Sequence, residues 1–190
     1  MAHGSGWIRE VRAEDLADVA TIYRHYVLNT RVTFDESPPA LQDWRDRAAG
    51  LAERGLPFLV AELDGAVVGY AYAAPWKPKP AYRHTVENSI YLAPGQAGRG
   101  LGTRLLTELL KECARSGVHQ VIAVIADSGT ESSVALHLRH GFTEVGRLRR
   151  VGHKHGRWID TRLFQYEVAD ATALPGVERT EGVSARHIPE

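Results

Sequence analysis

The apolar positions of this chain change period from one segment to the next, and each period predicts an element. Residues 7–11 alternate like a strand, whereas Leu16, Val19, Ala20, Tyr23, Tyr26 and Val27 recur every three or four positions and predict a helix over 15–29. Beyond Pro38-Pro39, Leu41, Trp44, Ala48, Leu51 and Ala52 repeat the helical spacing until Gly55 and Pro57 end it. Both helices are expected to cover a sheet. Residues 58–63 and 66–74 flank Asp64-Gly65, a dipeptide that tolerates the positive φ angles of a tight hairpin turn. The stretch PWKPKPAYRH at 75–84 holds three prolines among aromatic and basic groups, which predicts an irregular exposed loop. Alternation resumes over 85–92, with Val86, Asn88, Ile90 and Leu92 on one face and Glu87, Ser89 and Tyr91 on the other.

Four glycines then fall between 95 and 102, and helical spacing follows through Leu101, Leu105, Leu106, Leu109, Leu110 and Cys113 to Gly117. VIAVIA at 121–126 is an unbroken apolar run with β-branched residues, the pattern of a strand buried on both faces. It is expected to run parallel to 85–92, joined to it by a right-handed crossover through the helix. A short helix over 132–140 stops at Gly141, and two more strands fit 142–151 and 158–168. Residues 1–6 and 170–190 lose periodicity and read as flexible ends around one domain spanning 7–169.

Composition narrows the class. At 190 residues, with 44% hydrophobic and 24% charged, the chain suits one soluble α/β domain and neither collagen, coiled coil nor wholesale disorder. The 23 basic and 23 acidic residues cancel, leaving no global field to hold a polyanion, so no nucleic-acid partner is expected. No apolar run approaches the roughly 18 residues of a membrane span. No secretory segment follows Met1, and Cys113 stands alone, which excludes an internal disulfide or a cysteine zinc cluster. A cytoplasmic protein without a membrane partner is the expectation.

A glycine loop opening a helix offers unpaired backbone N–H groups and the positive end of the helix dipole, which suits phosphate. QAGRGLGT lacks the Gly-Lys-Ser/Thr ending of a nucleotide triphosphatase, and its third glycine is misplaced for a dinucleotide fold. On these residues alone it is equally a turn that lets strand meet helix. The order of elements together with Gly98-Arg99-Gly100-Leu101-Gly102-Thr103, however, resembles the GNAT acyltransferase superfamily, whose pyrophosphate loop reads Q/R-x-x-G-x-G/A. The likeness is closer still to its phosphinothricin and methionine sulfoximine N-acetyltransferase branch. That branch's patterns are matched by HY at 25–26, VTF at 32–34, PWK and AY within 75–82, the segment at 87–91 and KHGRWID at 154–160.

The resemblance implies an α/β fold with a mixed, mostly antiparallel sheet, a central parallel strand pair splayed around acetyl-CoA, about four flanking helices, and a homodimer. It places the pantetheine arm on backbone groups of Ile90, Tyr91 and Leu92, and the pyrophosphate on Gly98, Arg99, Gly100, Leu101, Gly102 and Thr103. Ser133 matches a family serine on the following helix. Ala97 stands at the first position of the loop signature and Thr130 where the family has asparagine.

N-acetylation needs a neutral amine, and an α-amino group is mostly protonated at neutral pH, so a general base is wanted. By position alone Glu87 fits a solvated or ion-paired strand residue and His137 a structural hydrogen-bonder, but the resemblance makes Glu87 the candidate base and His137 the candidate acid for the departing thiolate. His137 and His140, with no third ligand identified, do not suggest metal, and none is expected. In the irregular loop Lys77, Lys79 and Arg83 offer cations for a substrate acid group, while Trp76, Tyr82 and Phe34 offer apolar walls. Lys79 stands where the branch commonly has arginine. The resulting expectation is acetyl transfer to the α-amino group of a small amino acid or analogue such as phosphinothricin, methionine sulfoximine or methionine sulfone. Its rivals are transfer to a protein N-terminus or another amine, and a non-catalytic CoA-binding module.

Overall fold

Seven strands hydrogen-bond into one sheet: β1 (Trp7–Glu10), β2 (Phe58–Leu63), β3 (Ala66–Pro75), β4 (Thr85–Leu92), β5 (Gln120–Ala126), β6 (Thr143–Lys154) and β7 (Arg157–Glu167). Their spatial order is β1-β2-β3-β4-β5-β7-β6, and every pair is antiparallel except β4 with β5. Four helices flank it: α1 (Leu16–Asn29), α2 (Leu41–Glu53), α3 (Leu101–Arg115) and α4 (Ser132–Arg139). This computed structural model describes residues 7–128 and 131–168; the expected flexible ends and Thr130 lie outside them.

Alternation along β3 sets the two layers. Tyr70 and Tyr72 point to one side, where they meet Trp44, Tyr23, Phe58 and the apolar stripes of α1 and α2. Ala71 and Ala73 point to the other, and these small residues let Leu105, Leu106 and Leu109 of α3 approach the sheet closely. Gly69 completes that side: a Cβ there would sit 2.6 Å from the Leu92 side chain. Asp64 and Gly65 turn the β2–β3 hairpin with φ of 53° and 79°, as the dipeptide predicts.

Three local readings change. A 3-10 turn (Ala13–Asp15) precedes α1, because the Asp15 carboxylate accepts from the Arg12 N–H at 2.7 Å and from Arg9 at 2.6 Å. The proline loop is closed at its base by Trp76 N–H donating to Thr85 O at 3.2 Å, and it contains a 3-10 turn at Pro80–Tyr82. The last two strands form one long hairpin: His155 and Gly156, both at positive φ, make a two-residue turn, and Gly152, His153 and Lys154 continue the ladder that their polarity had hidden.

The aromatic layer carries much of the fold's stability. Trp44 is 1% exposed, and its indole N–H has no partner among the described residues. Trp44→Ala is expected to cost about 3–5 kcal/mol in urea unfolding. Trp44→Phe, which also removes the orphan donor, should cost clearly less.

Candidate active site

The parallel ladder between β4 and β5 is short. It pairs Thr85, Val86 and Glu87 with Gln120, Val121 and Ile122, and then the strands part. Their outer edges stay paired: β3 follows β4 to Leu92, and β7 follows β5 to Ala126. A gap therefore opens in the middle of the sheet. Ala93 N–H donates to Val68 O at 2.8 Å, so by antiparallel alternation Tyr91 also exchanges its backbone bonds with β3. Among the residues expected to pair with pantetheine, only Ile90 and Leu92 turn their backbone toward the gap. The Leu92 carbonyl already accepts from Tyr26 Oη at 2.6 Å, which leaves its N–H. The backbone contribution is therefore smaller than expected, because Tyr91 belongs to the other ladder.

The gap continues to the start of α3. Gly100, at φ 76°, is the N-cap, and Arg104 N–H donating to Gly100 O at 3.1 Å is the helix's opening bond. Helix geometry leaves the N–H groups of Leu101, Gly102 and Thr103 without an intrahelical acceptor. Those amides and the dipole behind them suit a diphosphate. Arg99 does not join them; its guanidinium donates to Gln96 Oε1 at 2.8 Å on the surface. A cleft of about 780 Å³ unites this helix start with the separated strands, a size that accommodates a large cofactor arm.

Consecutive residues of β4 serve opposite sides of the cleft. Asn88 faces α4, where its Nδ2 donates to His137 Nε2 at 2.9 Å, whereas Glu87 faces the α1 layer. His137 is 2% exposed, and its Nδ1 lies 2.8 Å from Ser133 O. A carbonyl only accepts, so Nδ1 carries the proton and Nε2 is the acceptor for Asn88. Reversing the Asn88 amide would require a doubly protonated ring, and burial opposes that charge, pushing the imidazole pKa down. His137, expected as the acid, has in this arrangement no proton to give on the Asn88 side. His140 places Nδ1 2.8 Å from Leu136 O and Nε2 3.1 Å from Thr107 Oγ1 and 3.2 Å from Thr103 O, tying α4 to α3.

Burial raises the Glu87 carboxyl above its ordinary value, and the Lys77 ammonium opposes part of that rise. Glu87 lines the cleft with His137, Ser133 and the glycine loop. The expected substrate residues do not line it. Lys77 sits over the Trp76 ring at 4.8 Å, next to the strand end that holds Glu87, but Lys79 and Tyr82 are exposed on the 3-10 turn. Phe34 packs against Gly152 instead. The cleft also takes in Asn88, Tyr26, Thr30, Val32 and Arg139, which the sequence reading did not single out for the site. Asn88 gave a signal as the lone polar residue on the apolar face of β4, and Tyr26 and Val32 lie in the HY and VTF patterns, which carried no assigned role.

Comparison with known proteins agrees with this geometry. The acetyltransferase (GNAT) domain family matches residues 8–163. A phosphinothricin N-acetyltransferase of Alcaligenes faecalis is 44% identical over 169 residues, covering 88% of this chain and 86% of its own. An L-methionine sulfoximine/L-methionine sulfone acetyltransferase of Pseudomonas aeruginosa is 37% identical, covering 90% of this chain and 99% of its own. The crystal structure of a phosphinothricin acetyltransferase from Sinorhizobium meliloti in complex with acetyl-CoA superposes with a TM-score of 0.85 at 40% identity, over 92% of this chain and 95% of that one. A sheet opened beside a glycine-capped helix, on a sequence matched over most of its length, places this chain in the GNAT family of acetyl-CoA-dependent acyltransferases.

Proposed function

We propose that the protein transfers acetyl from acetyl-CoA directly to the α-amino group of a small amino acid or analogue of the phosphinothricin, methionine sulfoximine or methionine sulfone type. The observation that carries this reading is a single cleft with unpaired α3 amides on one side of the sheet and a half-buried carboxylate, Glu87, on the other. The similarity to phosphinothricin and methionine sulfoximine/sulfone acetyltransferases supports the substrate class.

Acetyl-CoA supplies the acyl group as a thioester. The amides of Leu101, Gly102 and Thr103 hold its diphosphate, and the gap edge of β4 aligns its arm. Glu87 takes the proton of the incoming ammonium, directly or through water, and burial brings its basicity nearer to working pH. The neutral amine then forms the C–N bond as the C–S bond breaks, and the departing thiolate takes up the proton that the new amide nitrogen sheds. Lys77 and Trp76 stand at that side to receive the substrate's acid group and apolar part. His137 fixes the Asn88 side chain. Its pairing leaves Asn88 Oδ1 buried with no partner among the described residues, an acceptor at the cleft wall for a donor of the carrier arm.

The edge strand β6 and its partner β7 expose Val145, Leu148, Val151 and Trp158, with Trp158 63% exposed. We assign the homodimer contact to the side of this hairpin that carries Trp158 and its cross-strand partner His153, Leu148 standing on the opposite side with Thr161.

Four outcomes are expected. Glu87→Gln lowers turnover by about a hundredfold or more at neutral pH while leaving acetyl-CoA affinity intact, and removes the limb of the pH–rate profile that rises as Glu87 ionises. Because the folded carboxyl holds its proton to higher pH than the unfolded one, its contribution to stability is lost as pH rises. Glu87→Gln should therefore melt higher than wild type at neutral pH, with the advantage vanishing below the ordinary carboxylate range. Gly100→Val forces a β-branched residue to φ 76° and should weaken acetyl-CoA binding at least about tenfold in calorimetry, where unchanged affinity would remove the diphosphate assignment. Wild type should sediment at twice the monomer mass and Trp158→Asp at the monomer mass.

A further inference from the structure

Two residues of β6 act on the segment that follows α1. Gly152 and Lys154 lie two positions apart in the strand, share a face and are both buried. Lys154, 3% exposed, donates from Nζ to Thr33 O at 2.9 Å, across 121 residues of sequence. A Cβ on Gly152 would lie 2.4 Å from Cε2 and Cζ of Phe34, so the phenyl ring fills the space that any other residue at 152 would claim. The hydroxyl of Thr33 donates to Tyr23 Oη at 2.6 Å, and Tyr23 in turn donates to Asp35 Oδ2 at 2.7 Å. Thr33 is thus pinned through its carbonyl by β6 and through its side chain by α1.

The pinned segment adjoins the site. Thr30 and Val32 line the cleft, and Tyr23 meets Tyr91 of β4 edge to face at 5.1 Å. Replacing a buried charge by an apolar side chain of similar volume is often neutral or stabilising, so stability is a weak reason for a lysine here. Burial lowers its pKa, and Asp35 and Glu36 act in the opposite direction to keep it charged.

We propose that Lys154 and Gly152 are positioning residues for the amine substrate, holding residues 30–34 as a fixed wall on the Glu87 side of the cleft. The proposal rests on the amine entering from the α1 face, as in the function proposed above. It differs from a purely structural role in what it leaves alone: the carrier side of the cleft, built from α3 and α4, has no part in the clamp.

The test uses Lys154→Met, which keeps the length of the side chain and removes the donor, with thiol release from acetyl-CoA as the assay and L-phosphinothricin and L-methionine sulfone as probes. The KM for the amine should rise about tenfold while the KM for acetyl-CoA stays unchanged. Hydrogen exchange should quicken at residues 30–36 and stay unaltered at the start of α3. Gly152→Ala, which displaces Phe34 without touching the lysine, should give the same split and covers the case in which Lys154→Met does not fold. Unchanged exchange at 30–36, or equal rises in both KM values, would overturn the proposal. Should the wild-type protein release no thiol with any amino-acid analogue, the proposed function fails. Exchange then decides the clamp by itself, faster exchange confined to 30–36 upholding it and unchanged exchange ending it.

Discussion

A parallel ladder that stops at Glu87 and Ile122 governs the rest of the structure. A strand pair in mid-sheet ordinarily satisfies its backbone along its whole length, and leaving it unzipped strands polar groups in a half-buried place. The gap persists because each strand is held from outside, β4 by β3 and β5 by β7, so neither can slide across to close it. Tyr26 relieves part of the cost by donating to the Leu92 carbonyl. What remains is an internal edge, able to accept an extended ligand as a partial strand, in direct continuity with the open amides of α3.

Because side chains alternate across a sheet, the same gap gives access to two environments. Glu87 and Asn88 are neighbours in sequence and lie on opposite sides. Burial acts on Glu87 and His137 at the gap and favours the neutral form of each, raising the Glu87 carboxyl and lowering the His137 imidazole. The consequences differ. A carboxylate made more basic is a better proton acceptor for an ammonium, whereas a histidine kept neutral with its proton on Nδ1 becomes a fixed acceptor. The orphan Asn88 Oδ1 belongs to the same region, consistent with a site that gives up some stability for binding capacity.

How much of this was legible depended on sequence separation. The Asp64-Gly65 turn, the two faces of β4 and the glycine entry to α3 each depend on residues within a few positions of one another, and each was read in advance. The hydrogen that fixes His137 was not, although its acceptor is only four residues away, because nothing in a sequence says which ring nitrogen turns toward the helix. The β6–β7 turn was missed because a Lys-His-Gly string reads as loop, while the ladder bonds that keep it in register come from the facing strand. Phe34 and the loop lysines were assigned together to a substrate cleft on chemical type. The fold separates them, sending Phe34 to Gly152 and leaving Lys79 in solvent.

The two layers also divide the labour of the site. On the α3 and α4 side, His140 ties the helices together through Thr107 and Leu136, and His137 ties α4 to Asn88, so the parts proposed to hold the carrier are fixed to one another by short polar links. On the α1 side, the wall around Glu87 is made of a loop held by Tyr23 and by β6, with aromatic packing beneath it. The sheet lies between the two sets of contacts, and β4 carries residues of both. On the proposed function, a change of amine would call for substitutions on the α1 face, since the α3 and α4 side would read a carrier common to every acyl transfer.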